Sequence, residues 1–467
     1  MNSPSQDVEV IPQLTYPPDS SQHPSTSIGR APRDTSLSVG QIFESLPLTR
    51  EHLKCCFALF FVFVMEAWEM MIIVYTSPLI AREFKLSSVA VGNLMGAMFV
   101  GMGIGSVIWG PISDRIGRKK TIISSFMLYG ILSLASAFSP DYSTLYALRL
   151  MCGVAAAGVF VVVFPYFTEL LPVRSRGPFT TYLVAGWPVG VFFALGATIW
   201  LTPMGWRWVL GMSSLAGLWA LVVAWLVPES PYWLVGVGRP EQARASILRL
   251  SRGATVISPQ QNLHVEKVTR GAWRNIFSGR VLPMTLLQIA INFTLSWGYW
   301  GLQTWLPTLL QQRGLSLPQS YGFIALSAAC SIPGGMSASY LTGKFGRKKV
   351  MIAYIAMAVA AGYAFANSQT MTALYASNFS LAFFSLGAWG VWDTWIAEMY
   401  STQLRTVGYS WAVFAQRLAN MVAPSAIGLL IAQGYSFNVT TTFINLFNAA
   451  AAMMALFMPE TEGKDLA

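Results

Sequence analysis

The sequence predicts an all-α membrane protein with twelve transmembrane helices in two six-helix halves, and three observations support this fold class. First, 54% of the 467 residues are hydrophobic and only 11% are charged, whereas a soluble domain carries about 25% charged residues. Second, apolar runs long enough to cross a bilayer, which takes about 20 residues, recur twelve times. Third, charged motifs recur at a nearly constant offset along the chain. Composition, segment length and repetition therefore indicate the same architecture.

The predicted spans alternate with short polar segments. They cover residues 55–81, 89–111, 119–139, 142–166, 178–201, 206–227, 281–310, 319–342, 348–367, 370–396, 406–432 and 436–458. They divide the chain into a disordered cytoplasmic tail (1–50), a first half (51–227), a cytoplasmic linker with short surface helices (228–280), a second half (281–458) and a final tail (459–467).

The distribution of Lys and Arg predicts the orientation. Most of these residues follow the even-numbered spans, and only Arg82, Lys85, Arg207 and Arg313 follow the odd-numbered ones. Since cytoplasmic loops are enriched in Lys and Arg, we expect both termini in the cytoplasm and the protein in the plasma or inner membrane. The net charge of +10 then reflects the membrane surface rather than nucleic acid.

Internal repetition predicts two related halves. The segment 113–120 after span 2 resembles the segment 342–349 after span 8. The offset between these segments also relates Glu169 to Glu398, and Pro228-Glu229 recurs as Pro459-Glu460 at an almost equal offset. Such matches indicate duplication of a six-helix unit.

The repeated charges are candidate gating residues. Acidic and basic groups at neighbouring helix ends can pair when the cytoplasmic side is closed and separate when it opens; the alternative is a basic loop that only sets orientation. The predicted gating residues are Asp114, Arg115, Gly117, Arg118, Glu169, Arg176, Arg347, Glu398 and Arg405.

These motifs resemble the major facilitator superfamily over residues 50–463. Residues 110–120 resemble its loop after span 2. Arg149, Pro165-Tyr166, Glu169, Pro172 and Arg176-Gly177 resemble the span 4 pattern of sugar-porter-like members, and residues 228–234 resemble their loop after span 6. Gly343 stands where the second-half loop usually has Asp, so the resemblance implies weaker pairing of acidic and basic groups at the helix ends of the second half.

Ionisable residues inside spans are functional candidates, because each costs about 3 kcal/mol or more near the bilayer centre. Glu66 and Glu69 lie three residues apart in span 1, and Arg149 lies in span 4. Two carboxylates this close in a low dielectric do not both ionise readily. We therefore predict that Glu66, Glu69 and Arg149 carry proton coupling; the alternative is a static ion pair between spans 1 and 4.

Glu66-Ala67-Trp68-Glu69 resembles the Asp-x-aromatic-Asp motif of aromatic-acid and nicotinate proton symporters, with Glu in place of both acids. Sugar porters have a single acid matching Glu69, facing the Arg that matches Arg149. The second acid therefore separates this chain from sugar porters.

Arg417 near the centre of span 11 requires a carboxylate partner. Asp393 in span 10 is one candidate, and a substrate carboxylate bound in bidentate geometry is the other. The nicotinate transporters and their organic-ion relatives carry an Arg at a matching place, so the resemblance implies substrate contact.

Aromatic and amide side chains complete the predicted substrate site. Asn292, Ser296, Trp300 and Gln303 share one face of span 7 by helical spacing. The predicted substrate-binding residues are Arg417, Asp393, Trp187, Asn292, Trp297, Trp300, Gln303 and Trp389. Aromatic walls with one Arg suit a flat aromatic carboxylate, and the same walls suit an organic cation.

No motif for an enzyme, a metal or a cofactor is apparent in the sequence. We therefore predict a monomeric secondary transporter that takes up a small aromatic carboxylate, such as nicotinate, with protons by alternating access. The alternatives are an organic-cation or sugar-like carrier, and a non-transporting binding protein like the synaptic-vesicle glycoproteins. Those glycoproteins have a large insertion between spans 7 and 8, where this chain has a short loop.

Overall fold

The computed structural model describes residues 36–259, 261–265, 273–400 and 404–461. Almost all of the secondary structure in these ranges is helical. The helices are α1 (Val39–Ser45), α2 (Arg50–Phe84), α3 (Ser88–Ile116), α4 (Arg118–Ala137), α5 (Tyr142–Glu169), α6 (Arg176–Val184), α7 (Gly186–Leu201), α8 (Trp206–Ser213), α9 (Leu215–Leu226), α10 (Pro231–Gly236), α11 (Pro240–Leu250), α12 (Leu282–Gln312), α13 (Leu317–Phe345), α14 (Arg347–Ala366), α15 (Met371–Met399), α16 (Arg405–Ala432) and α17 (Phe437–Ala455). Two short strands, β1 (Leu37–Ser38) and β2 (Leu263–His264), pair in parallel.

Each predicted span falls on a helix or on two consecutive helices. Span 5 is divided into α6 and α7 at Ala185, and span 6 into α8 and α9 at Ser214. The first break coincides with Gly186-Trp187-Pro188, where a kink is expected because proline has no backbone N–H to continue the hydrogen-bond ladder. The predicted twelve-span arrangement is consistent with these helices.

Eight helical segments in the described ranges are long and apolar enough to cross a membrane. The other four long helices are α12, α13, α15 and α17, all in the second half. They contain more amides and hydroxyls; α17, for example, includes Thr440, Thr441, Asn445 and Asn448. Buried polar groups in a bundle lower the mean hydropathy of a span without placing those groups against lipid.

The predicted duplication appears in the packing of the helices. In the first half, α3 and α4 pack on α5, α2 packs on α7, and α4 packs on α9. In the second half, α13 and α14 pack on α15, α12 packs on α16, and α14 packs on α17. The two six-helix halves thus repeat one arrangement, as the constant offset predicts.

The halves meet closely at the side opposite Arg50 and Ala455, where α2 begins and α17 ends; this side is here called the far side. A Cβ atom on Gly92 of α3 would lie 2.4 Å from the carbonyl oxygen of Pro424 on α16, and one on Gly428 would lie 2.5 Å from the carbonyl oxygen of Ser88. Trp305 Nε1 donates to the Pro424 carbonyl at 2.8 Å. The backbones of α3 and α16 are therefore in direct contact at the far side.

The N-terminal segment departs from the expected disordered tail. Residues 36–50 contain β1 and α1, and α1 buries Val39, Ile42 and Phe43. Phe43 packs on Tyr232 with ring centroids 5.4 Å apart. Residues 1–35 and 462–467, the rest of the predicted tails, lie outside the described ranges. The described part of residues 228–280 includes the short helices α10 and α11; its role as a cytoplasmic linker stays a prediction.

Candidate functional site

The first half buries an ion pair between α2 and α5. Glu69 is 1% exposed and Arg149 is fully buried, and Glu69 Oε2 lies 3.9 Å from Arg149 Nη1. Neither of these two atoms has a hydrogen-bond partner in the described part of the chain. The pair is therefore held by charge across a gap rather than by a hydrogen bond.

Arg149 is anchored by other groups. Its Nη2 donates to Ser136 Oγ at 2.6 Å and lies 3.1 Å from Cys152 Sγ, while Ser133 Oγ donates to Glu69 Oε1 at 3.3 Å. The sequence analysis did not include these partners. Ser133 and Ser136 are three residues apart and lie on the buried face of α4. This spacing is the sequence signal for their role.

Glu66 has a different environment from Glu69. It is 4% exposed, and neither carboxylate oxygen has a hydrogen-bond partner among the described residues. Its carboxylate interacts electrostatically with Arg417 of α16, in the opposite half. The two acids that the sequence presented as one pair therefore face separate cations.

Arg417 projects from the second half onto the first. Its guanidinium carbon lies 4.1 Å from the ring centroid of Phe160 on α5, and its Nη1 is 4.0 Å from Met102 Sδ on α3. Arg417 makes no ion pair with any acid among the described residues, so the expected partner Asp393 does not supply one. A cation that contacts an aromatic face and no carboxylate is available to a bound anion.

Asp393 lies apart from Arg417. Its side chain is exposed and interacts with Tyr409, which in turn interacts with Arg417. Asp393 is therefore linked to Arg417 through Tyr409 and not by an ion pair.

Two of the predicted tryptophans meet at the centre. Trp187 of α7 and Trp300 of α12 contact edge to face with centroids 5.8 Å apart, and Phe99 of α3 lies 4.8 Å from Trp300. Phe99 and Met102 are three residues apart on α3 and share one face, so this aromatic group adjoins Arg417. We define the central site by Glu66, Arg417, Trp187, Trp300 and Phe99.

The remaining predicted residues of α12 separate into three environments. Asn292 is fully buried, and its Oδ1 accepts from Gln416 Nε2 at 2.8 Å and from Trp392 Nε1 at 3.1 Å. Trp297 stacks on Phe447 at 4.5 Å, away from Trp300. Gln303 and Trp389 line a separate cavity inside the second half. The residues predicted to form one polar face of span 7 therefore contact different parts of the protein.

Three of the predicted gating residues of the first half, Asp114, Arg118 and Glu169, form a charged network near the junction of α3 and α4. Arg118 Nη1 lies 2.8 Å from Asp114 Oδ1, and Arg118 Nε lies 3.8 Å from Glu169 Oε2. Arg176 donates to Tyr232 Oη at 2.9 Å, and Arg115 is exposed. Arg118 alone therefore joins the two acids.

A carboxylate caps the helix that begins at Arg118. Glu229 Oε1 accepts from the backbone N–H groups of Arg118 and Lys119 at 3.0 and 3.1 Å, which suits the positive end of a helix. Gly117 has φ +102°, and a Cβ there would lie 2.3 Å from Glu229 Oε2. Glycine is required at this position both for the backbone conformation and for the approach of the carboxylate.

The second half repeats this arrangement. Glu460 accepts from the backbone N–H groups of Arg347 and Lys348, each at 3.1 Å, and Gly346 has φ +90°. The repeated Pro-Glu pair thus has a capping role in both halves, which the sequence analysis recognised only as a repeat.

The ion pair of the second network differs from expectation. Arg347 Nη2 lies 3.0 Å from Glu398 Oε1, which is closer than Arg118 lies to Glu169. Arg118 interacts with two acids, Asp114 and Glu169, whereas the second half has Gly343 in place of Asp114 and so has no second carboxylate for Arg347. The shorter Arg347–Glu398 distance is opposite to the weaker charge pair that Gly343 led us to expect in the second half. Arg405 has its Nε and Nη2 buried without a partner among the described residues.

Comparison with known proteins agrees with this arrangement. The profile of the Major Facilitator Superfamily matches residues 59–344. The chain is 28% identical over 427 residues to the niacin transporter NiaP of Acinetobacter baylyi, covering 91% of this chain and 97% of that protein. It is 27% identical over 390 residues to the putative niacin/nicotinamide transporter NiaP of Bacillus subtilis, covering 82% and 90%.

A solved structure has the same fold. The xylose transporter XylE from E. coli, in an inward open conformation, superimposes with a TM-score of 0.71 at 19% identity, covering 89% of this chain and 98% of XylE. The profile match, the full-length relatives and the duplicated helix packing show that the chain belongs to the Major Facilitator Superfamily and is a multi-pass membrane transporter of small molecules.

Proposed function

We propose that this protein carries out proton-coupled uptake of a small aromatic carboxylate, such as nicotinate, by alternating access across the plasma or inner membrane, with its termini in the cytoplasm. The observation that carries the proposal is Arg417, a cation that makes no ion pair with an acid in the described chain, placed against Phe160 and beside Trp187 and Trp300. An aromatic ring would pack on the tryptophans while its carboxylate binds the guanidinium.

Glu66 supplies a link between proton and substrate. When ionised, it competes with the substrate carboxylate for the field of Arg417. When protonated, it leaves Arg417 available to the substrate. Proton binding would therefore favour substrate binding, as symport requires.

Glu69 and Arg149 are the second proton-linked pair. Their 3.9 Å gap means that protonation of Glu69 removes an electrostatic attraction without breaking a hydrogen bond. The gating networks around Arg118 and Arg347 would respond by reorganising when the cytoplasmic side opens.

The test is uptake of radiolabelled nicotinate into proteoliposomes, with and without an inward proton gradient, for the intact chain and for Glu69→Gln. We expect gradient-driven accumulation in the intact chain, and in the variant we expect loss of accumulation with counterflow exchange retained. Absence of nicotinate uptake by folded intact protein would reject this substrate.

The organic-cation alternative is tested by Arg417→Ala. Asp393 is an exposed acid without an ion-pair partner in the described chain, which favours this alternative. Loss of anion uptake in Arg417→Ala supports the carboxylate proposal, and retained uptake of an organic cation by the same variant supports the alternative.

A further inference from the structure

The second half contains a cavity of about 50 Å³ near the middle of α12, α14, α15 and α17. None of the described residues that line it is Asp, Glu, Lys or Arg. Its polar lining consists of the amides of Gln303, Asn378, Asn445 and Asn448 and the hydroxyls of Tyr299, Ser327, Ser385 and Thr441. A group bound there would meet many donors and acceptors and no formal charge.

The position of this cavity follows from the duplication. At the offset that relates Glu169 to Glu398, Glu69 corresponds to Gly298, Ser133 to Gly362 and Arg149 to Asn378; these three second-half residues all line the cavity. Tyr129 likewise corresponds to Ala358, which also lines it. The cavity is therefore the second-half counterpart of the Glu69–Arg149 cluster, with the charged side chains replaced by smaller neutral ones.

Two glycines admit amide side chains into this space. A Cβ on Gly298 would lie 2.1 Å from Asn448 Oδ1, and a Cβ on Gly362 would lie 2.5 Å from Asn445 Oδ1. At the offset that relates Pro228 to Pro459, and so α9 to α17, the first half has Ser214 and Gly217 in place of these amides. The amides thus enter the second-half bundle where the first half accommodates its ion pair.

One of these amides lacks a partner. Asn445 is 8% exposed, and its Nδ2 donates to the Val359 carbonyl at 2.8 Å. Its Oδ1 is buried without a hydrogen-bond partner in the described part of the chain. An unsatisfied acceptor inside a membrane bundle is costly. We therefore expect a group bound in the cavity to donate a hydrogen bond to Asn445 Oδ1.

We propose that the cavity binds the primary carboxamide group of a small uncharged solute. The carboxamide nitrogen supplies N–H donors for Asn445 Oδ1, and its oxygen accepts from the amide of Gln303 or Asn448. A carboxylate would be buried there without a cation and is disfavoured. A water needs roughly 10–15 Å³ of such space, so the cavity of about 50 Å³ holds a carboxamide with no more than a small alkyl group attached.

None of the five residues that define the central site lines this cavity, although Tyr299 of its lining contacts Trp300. The experiment is equilibrium binding of radiolabelled acetamide, a carboxamide small enough for the cavity, to the purified full-length protein in lipid nanodiscs. The variants are Asn448→Leu, which removes a cavity amide, and Asn438→Leu, a control on the same helix outside the cavity. Ala382→Leu fills the cavity without changing an amide and provides a second variant should Asn448→Leu fold poorly.

We expect saturable binding by the intact protein, about tenfold weaker binding by Asn448→Leu or Ala382→Leu, and unchanged binding by Asn438→Leu. Arg417→Ala should bind acetamide normally while losing nicotinate uptake, which separates this proposal from the proposed function. Absence of saturable binding would show that the cavity contains water only. Loss of acetamide binding in Arg417→Ala, with no effect of Asn448→Leu, would place the amide in the central site; either result overturns the proposal.

Discussion

Glu69 Oε2 and Arg149 Nη1 lie 3.9 Å apart inside the first half, and neither atom makes a hydrogen bond in the described part of the chain. Arg149 is instead fixed by Ser136, whose hydroxyl accepts from both Nε and Nη2. The serine therefore sets the position of the cation, and the acid can gain or lose its charge without releasing it.

Replacing Ser136 by Ala should destabilise the protein. Hydrogen bonds to a charged group are worth about 1.5–3 kcal/mol, so we expect the free energy of unfolding to fall by about 2 kcal/mol, measured by thermal unfolding in detergent. Ser124→Ala on the same helix is the control, since Ser124 Oγ donates to the carbonyl of Lys120 within its own helix. Equal stability of the two variants would contradict this role of Ser136.

Replacing Glu66 by Gln should flatten the pH dependence of substrate binding. In the intact protein, nicotinate should bind more tightly as the pH falls, because protonation of Glu66 removes a negative charge that competes for Arg417. The amide of the variant carries no charge at any pH, so its affinity should match that of the low-pH form throughout. Binding measured from pH 5 to pH 8 tests this, and a variant with an undiminished slope would show that another group is responsible.

Trp300 and Trp297 form a matched pair for testing the central site. They lie three residues apart on α12, are similarly buried at 7% and 6% exposure, and contact different neighbours. Trp300→Leu should raise the KM for nicotinate about tenfold, because the loss of aromatic packing is worth about 1.5 kcal/mol. Trp297→Leu should lower stability while leaving the KM near that of the intact chain. If both substitutions change the KM equally, the ring of Trp300 does not form the substrate wall.

Gly117 and Gly346 should not tolerate alanine. Both have positive φ, and a Cβ at either would lie within 2.6 Å of a capping carboxylate oxygen. Their ψ angles of 163° and 161° place both in a positive-φ region that is almost exclusive to glycine and costs about 1–3 kcal/mol for a residue with a side chain, so each variant should unfold at a lower temperature. At Gly196 of α7 a Cβ meets nothing within 4 Å, and Gly196→Ala should be at least as stable as the intact protein.

The sequence predicted the fold because hydropathy and duplication are properties of the chain itself. The constant offset between the halves related the charged helix ends of the first half to those of the second, and an ion pair is present in each half; their gating role stays a prediction. Residues 36–50 were misassigned because the short apolar pattern of Val39, Ile42 and Phe43 follows a Ser- and Pro-rich stretch. Packing on Tyr232 stabilises that helix, and a tertiary contact of this kind cannot be read from composition.

The site was predicted less completely than the fold. Charged residues inside spans are few, so Glu66, Glu69, Arg149 and Arg417 were identified directly. Glu69 and Arg149 pair within the first half, whereas the interaction of Glu66 with Arg417 depends on how helices from different halves meet. Of the cavity residues the sequence predicted only Gln303 and Trp389 as binding residues, because the space itself is created by the absence of side chains at Gly298 and Gly362.

The backbone contact of α3 with α16 has a consequence for movement between the halves. Gly92 and Gly428 let the backbones of the two helices touch with no side chain of their own between them. At these positions the helices can separate and meet again without a change of side-chain rotamer, and the speed of the transport cycle would then depend on events elsewhere in the molecule.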